Sequence, residues 1–112
     1  MDSGHDKPLV WLHGEIKTPP FSSSARITAG LLLRRLQRGE ELWMPHSRAV
    51  PTIGAGCNEL RIVDDRRSWR IIYHVAEEAI VILHVFEKKS RKTPSRVIEI
   101  CRRRLRAFHA VS

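Results

Sequence analysis

The stretch from residue 58 to residue 86 decides the fold: NELRIV (58–63), DDRRS (64–68), WRIIYHV (69–75), AEE (76–78) and AIVILHVF (79–86). Three segments rich in β-branched and aromatic residues alternate with two short polar segments that are typical of turns. The third segment is almost entirely apolar, which favours a central strand covered on both faces. The pattern predicts an antiparallel meander of three strands.

Upstream of the meander, the sequence predicts one strand, one helix and one loop. Residues 9–13 (LVWLH) have the composition of a short strand that starts after Pro8. Apolar residues then recur at helical spacing between a serine-rich start at 22–24 and Gly39, a natural stop. Residues 40–56 hold two prolines and two glycines and predict a long loop.

Downstream of the meander, a second helix is expected. Thr93 can cap it, and Pro94 suits its first position. Its apolar stripe consists of Val97, Cys101, Leu105 and Phe108. We therefore predict an α+β fold: a small curved antiparallel sheet, made of the N-terminal strand and the three-strand meander, with an N-terminal helix packed on it and a basic C-terminal helix.

Length and composition predict a single domain, residues 1–112, with residues 1–7 flexible. No run reaches the roughly 18–20 apolar residues that cross a bilayer, and the polar N-terminus fits neither a secretory signal nor a transit peptide. We expect a cytoplasmic protein without a membrane partner. Cys57 and Cys101 are expected to be reduced thiols, and the scattered Cys and His residues predict no metal site and no other cofactor.

Charge is the unusual bulk property. Twenty Lys and Arg oppose twelve Asp and Glu, which gives a net charge of +8 and a pI near 10.5. Nine basic residues but only two acidic ones lie between Glu87 and Phe108. Such a field attracts nucleic acid, an acidic partner or an anionic membrane surface, although a solvated helix face would also explain a basic tail.

Three segments, in this order, resemble one protein family. They are GLLLRRLQRGE (30–40) running on to PHSR (45–48), NELR (58–61) followed by WRIIY (69–73), and VFEKKSRKTP (85–94). The set is similar to the phage-derived, HigB-like branch of the RelE/ParE toxins and spans roughly residues 8–108. The resemblance implies a RelE-like domain with helices on one side of a curved sheet and a basic concave face.

The resemblance also implies a function and partners. Toxins of this kind belong to type II toxin-antitoxin systems and cut mRNA in the ribosomal decoding site during translation. The implied partners are the ribosome with its mRNA and a cognate antitoxin, in this branch often a helix-turn-helix DNA-binding protein, with which the toxin can form a heterotetramer.

Metal-independent RNA cleavage uses the 2′-hydroxyl of the substrate as nucleophile and needs fixed positive charge around the phosphate. Strand alternation places Arg61, Arg70 and Lys88 on one surface if the strands pair in the expected sense. By resemblance, Arg61 and Arg70 would clamp the phosphate, and Lys88 or Lys89 would contact it or assist proton transfer. The loop residue His46 is a candidate base.

Further RNA contacts are predicted for Arg48, Tyr73, Lys89, Arg91 and Lys92. Ordinary structural roles stay open beside these: an ion pair with Glu59 or Asp64 for each arginine, a solvated turn for the lysines, and a core position for Tyr73. Two other functions also stay open, a ParE-like inhibitor of DNA gyrase and a non-catalytic basic nucleic-acid-binding module.

Overall fold

The protein folds as a sheet between two helices, in a computed structural model that describes residues 6–12 and 21–111. Within these ranges the elements are β1 (Leu9–Trp11), α1 (Ser23–Gln37), β2 (Ser47–Ala49), β3 (Cys57–Asp64), β4 (Arg67–Val75), β5 (Ile80–Glu87) and α2 (Ser95–Val111). The strands are ordered β1-β5-β4-β3-β2, and every neighbouring pair is antiparallel except β1 with β5. The predicted α+β fold and its meander are confirmed.

Two strands differ from expectation. The segment predicted as a loop contains β2, which pairs Ser47 with Leu60 and Arg48 with Glu59. Three residues close to Pro45 and Pro51 are too short a signal to be read as a strand from sequence. The N-terminal strand β1 runs parallel to β5, and its predicted last residue, His13, lies outside the described residues.

Of the seven residues predicted to be flexible, residues 1–5 also lie outside the described ranges. The next two contact the folded chain. Asp6 forms an ion pair with Arg34. The backbone N–H of Lys7 donates to the Gln37 carbonyl, and its ammonium donates to the Ala76 carbonyl.

The two helices lie on opposite faces of the sheet, and each covers its own apolar cluster. Helix α1 packs on Leu60, Ile62, Trp69, Ile71, Tyr73, Ile80 and Ile82. Helix α2 packs on Cys57, Ile72, Ala79, Val81 and Leu83. Because β5 is apolar on both sides, a single sheet can hold a core on each face. The arrangement implied by resemblance, with both helices on one side, is therefore wrong for this chain.

The helix starts follow local hydrogen bonding. At α1 the Ser22 hydroxyl accepts from the Ala25 N–H at 3.1 Å, as its N-cap position predicts. At α2 the helix begins one residue later than predicted, and the Pro94 carbonyl accepts from the N–H groups of Val97 and Ile98. Thr93 is not the cap, because its hydroxyl donates instead to Glu59 at 3.3 Å.

A β-bulge in β5 determines which side chains face α2. Tyr73 pairs with Ile82 but the preceding Ile72 pairs with His84, so Leu83 is an extra residue in the ladder. Beyond this bulge the alternation is reset, and Phe86 lies opposite Arg70. Lys88 follows two residues later on the same face, with its N–H bonded to the Ser68 carbonyl at 2.7 Å.

Candidate functional site

Cationic side chains from four segments meet beside α2 in one cleft. Arg61 on β3 lies directly opposite Arg70 on β4, and cross-strand partners project from the same face. The lining residues, which define the cationic cleft, are Arg48, Arg61, Ser68, Arg70, Lys88, Lys89, Ser90 and Arg91, around an open volume of about 520 Å³. The predicted grouping of Arg61, Arg70 and Lys88 on one surface is confirmed, whereas their chemical roles stay predictions.

A buried carboxylate lies beneath these cations. The Glu59 side chain is 1% exposed, and its oxygens lie 3.3 Å from Arg70 Nε, 3.5 Å from Arg48 Nε and 3.6 Å from Lys88 Nζ. The Thr93 hydroxyl donates to the same carboxylate. One negative charge thus lies within 3.6 Å of three cations, two on strands and one directly after β5, so the cleft is organised around Glu59.

Arg70 forms the floor of the cleft. Its side chain is only 7% exposed, and Nη1 donates to the Ser68 hydroxyl at 2.6 Å and to the Trp69 carbonyl at 3.0 Å. Burial lowers the pKa of Arg70, Glu59 partly offsets this, and Arg61 opposite lowers it again. The predicted ion pair with Glu59 and the predicted place in a cationic surface therefore both hold for this arginine.

Lys88 is the buried amine of the cleft. Its side chain is 8% exposed and faces Glu59. Burial lowers the pKa of Lys88 from 10.5, Glu59 partly offsets the shift, and the charges of Arg70 and Arg48 lower the pKa further. An ammonium in such surroundings releases its proton more readily than a solvated lysine does, which suits it to proton transfer.

Arg61 and Arg48 are the more open cations. Arg61 is half-buried and its Nη1 lies 3.4 Å from the Met44 sulfur, while the Arg48 side chain is 50% exposed. Together with Arg70 and Lys88 they carry four positive charges against the single negative charge of Glu59, a formal balance of +3. Exposed Lys89 and Arg91 raise the balance of the cleft to +5. The cleft therefore has the electrostatics of a phosphate-binding site.

The family model described as "Phage derived protein Gp49-like (DUF891)" matches residues 19–106, which include α1, all of the sheet but β1, and α2 as far as Arg106. The chain belongs to the Gp49-like family. This is a RelE/HigB-like toxin family, in agreement with the resemblance stated above. A search among curated proteins found no match to the chain.

Three predicted site residues of this Gp49-like chain lie outside the cleft lining. Tyr73 is 2% exposed on the α1 face, where its hydroxyl bonds the Ser47 hydroxyl at 2.6 Å. It is a core residue with no access to the cleft, and the predicted RNA contact does not fit this position. Exposed His46 precedes β2, and its carbonyl accepts from the Arg61 N–H at 2.8 Å, so it lies at the margin of the cleft. Lys92 is exposed in the loop before α2.

From the sequence, Glu59 is expected only as a partner that could neutralise an arginine, and its position at the centre of the cationic cleft is not predicted. The available signal was the alternation of side chains along the strand. Glu59 must share a face with Arg61, and antiparallel pairing puts Arg70 of β4 on the same face. A single carboxylate on a strand face whose other charged residues are cationic indicates a buried centre for those cations.

Two features are absent from the described residues. Within residues 6–12 and 21–111, no group of three or more His, Cys, Asp or Glu is placed to hold a metal ion. In the same ranges, neither helix is long and apolar enough to cross a membrane.

Proposed function

We propose that this Gp49-like chain is the toxin of a type II toxin-antitoxin system and acts as a ribosome-dependent endoribonuclease that cleaves mRNA without a metal. Membership of a RelE/HigB-like toxin family supports the toxin class. The observation that carries the activity is the convergence of Arg48, Arg61, Arg70 and Lys88 over one buried carboxylate. A gyrase inhibitor has no need of such a phosphate-sized group of cations.

The proposed reaction is an internal transesterification of RNA. The 2′-oxygen attacks the adjacent phosphorus, the bond from phosphorus to the 5′-oxygen breaks, and the products are a 2′,3′-cyclic phosphate and a 5′-hydroxyl. One proton leaves the 2′-hydroxyl and one is delivered to the departing 5′-oxygen, so no external oxidant or co-substrate is needed. Charge accumulates on the non-bridging oxygens in the transition state, where fixed cations stabilise it most.

The geometry suggests a division of roles. Arg61 and Arg48, which are open to solvent, would bind the non-bridging oxygens in the planar fork that guanidinium groups provide. Arg70 would act from the floor by its charge, because its side chain is only 7% exposed and its Nη1 is engaged by Ser68 and Trp69. Lys88 would protonate the 5′-oxygen, and His46 at the margin would accept the 2′-proton.

The remaining predicted contacts fit the same proposal. Lys89 and Arg91 line the cleft, and Lys92 follows in the exposed loop, so all three can bind phosphates of the strand on either side of the cut. The proposed partners are the ribosome with its mRNA and a cognate antitoxin. We propose that the antitoxin is a helix-turn-helix protein that forms a heterotetramer with the toxin. Neutralising the cleft requires an acidic or apolar segment of that antitoxin.

The test is cleavage in a translating extract. Wild-type protein should give codon-phased mRNA ends in which the downstream fragment carries a 5′-hydroxyl, the product expected when the 2′-oxygen is the nucleophile. Arg61→Ala and Lys88→Ala should lower the rate by at least 10²-fold, the range in which positioned charges and proton donors act. Arg38→Ala, which removes an exposed arginine from the end of α1, is the matched control and should cleave like wild type.

Two results would overturn the proposal. One is intact mRNA together with relaxed or broken plasmid DNA, which identifies gyrase as the target. The other is RNA binding without any new ends at enzyme concentrations above that of the ribosomes, which identifies a non-catalytic binding module.

A further inference from the structure

The arginines of α2 divide into two groups by what they contact. Arg104 is half-buried and donates to the Leu83 carbonyl, and Arg102 donates to the Thr52 carbonyl at 2.7 Å. Arg96, Arg103 and Arg106 are exposed, and in the described part of the chain no carboxylate lies within 4.0 Å of any of them. The first group holds the fold together, whereas the second group is available for binding.

The available arginines form a line that starts at the cleft. Helical geometry puts Arg96 and Arg103 within about 20° of each other around the helix axis, and Arg106 about 60° further round. This side is opposite to the buried stripe of Val97, Cys101 and Leu105. Arg96 follows the cleft-lining Arg91 by five positions, and Arg106 lies about 15 Å further along the axis. We call Arg96, Arg103 and Arg106 the α2 strip.

We propose that the α2 strip is a second RNA-binding surface, which holds the phosphate backbone of the strand as it leaves the cleft. This inference rests on the proposed function, since it takes the cleft as the point where the strand is cut. Three guanidinium groups at intervals along about 15 Å outnumber the exposed carboxylate on the same side of α2, Glu99, and leave a net charge of +2 along a track that begins five positions after the cleft residue Arg91. The occupant is single-stranded RNA. The strip presents charges along one line, which can contact the phosphates of one strand, and it has no groove or projecting element that would fit a duplex.

An acidic protein would be the competing occupant, and the composition of the surface disfavours it. Protein interfaces bury an apolar centre within a polar rim. Among the described residues, the one large apolar side chain of α2 that is exposed is Val111, at the last position of the helix. The exposed apolar residues Ile27 and Leu31 lie on α1, across the sheet from the strip. A surface of arginines without an apolar centre fits a phosphate chain better than a protein.

The experiment compares two lengths of RNA that cannot be cut. Fluorescence anisotropy measures binding of 2′-O-methyl oligouridylate with 4 nucleotides, which is confined to the cleft, and with 16 nucleotides, which can run along α2. The test variant is Arg103→Gln/Arg106→Gln. The matched control is Arg26→Gln/Arg38→Gln, which removes two exposed arginines from α1 on the opposite face. Thermal melts establish that both variants fold.

The expected result depends on length. For single strands the logarithm of affinity falls with the logarithm of salt by about 0.7 per neutralised phosphate. Loss of two contacts should therefore flatten the slope for the 16-mer by about 1.4 and weaken its binding at 0.1 M salt roughly 25-fold. The 4-mer should bind the test variant as it binds wild type, and the control should leave both lengths unchanged.

Other results would overturn the inference. Equal losses for the two lengths, wild-type binding of the 16-mer by the test variant, or the same loss in the control would each show that the strip does not guide RNA. So would a test variant that loses affinity for an acidic antitoxin while it keeps its RNA affinity. Length-dependent binding together with intact mRNA in the translating extract would leave the strip in place and refute the proposed function alone.

Discussion

Glu59→Gln is the substitution that tests the organisation of the cationic cleft most directly. It keeps the shape of the side chain and removes the one negative charge that Arg48, Arg70 and Lys88 share at 3.3–3.6 Å. Two of these cations are themselves buried, with side chains 7% and 8% exposed. Without the carboxylate they repel each other in a region where water screens them poorly.

The expected loss of stability is large for a single substitution. Removal of one partner from a buried ion pair costs about 3–5 kcal/mol, because the other charge is left uncompensated. Glutamine can still accept the Thr93 hydrogen bond through its amide oxygen, so we expect the lower end, about 3 kcal/mol. With an unfolding entropy of about 2.1 cal/mol/K per residue, this corresponds to a fall in Tm of about 13 °C for 112 residues.

The assay combines thermal and urea unfolding with the pH dependence of cleavage. Since Glu59 raises the pKa of Lys88, its removal lowers that pKa further. If Lys88 is the proton donor, the alkaline limb of the pH-rate profile should move to lower pH in the variant. Glu99→Gln, which removes an exposed carboxylate from α2, is the matched control and should change neither property. An unfolding free energy of Glu59→Gln within about 0.5 kcal/mol of the wild-type value, roughly the spread of surface substitutions, would show that the cleft does not depend on this carboxylate.

Two further predictions concern buried polar groups away from the cleft. Ser47→Ala and Tyr73→Phe should each lower the unfolding free energy by about 1–3 kcal/mol, because the remaining hydroxyl loses its buried partner, and the double variant should recover part of the loss in urea titrations. Tyr73→Phe should also keep wild-type cleavage, and a specific loss of activity would contradict its core position. Burial and the charge of His109 lower the pKa of His74 below 6.5, so the folded state binds fewer protons and unfolding free energy falls from pH 7 to pH 5. His74→Gln should flatten that fall, and an unchanged pH slope would refute the assignment.

Much of the fold follows from local patterns in the sequence. The meander is predictable because NELRIV, WRIIYHV and AIVILHVF are separated by segments rich in turn formers. Ser22 is a detectable cap because its hydroxyl serves its own helix. By contrast, β2 is defined by its pairing with β3 rather than by its own three residues. The Thr93 hydroxyl donates to Glu59 on β3 instead of capping its own helix. Tertiary contacts override local preference at both places.

The candidate site was predictable in part for the same reason. Side-chain alternation along each strand identifies the face on which Arg61 and Arg70 lie. Because the two residues pair directly in the antiparallel ladder, both side chains project from the same face of the sheet. Alternation does not reveal that Arg70 is buried, since burial depends on how α2 and the loop before it cover the sheet. The exposed Arg48 joins the cleft through β2, the strand that the sequence did not disclose.

The extra residue at Leu83 has a consequence for how the chain can change. Before this point the even-numbered residues of β5 face α1, and after it the even-numbered residues face α2. The change brings Lys88 rather than Glu87 to the α2 face. Pairing without the bulge, with Leu83 opposite Ile72, would exchange the two: Glu87 would face α2 and Lys88 would turn toward the α1 face. Deletion of Leu83 would instead leave a regular ladder in which Lys88 keeps its place. The sign of the charge at this position of the sheet is thus set by the bulge in β5, and substitutions that keep the bulge leave the charge in place.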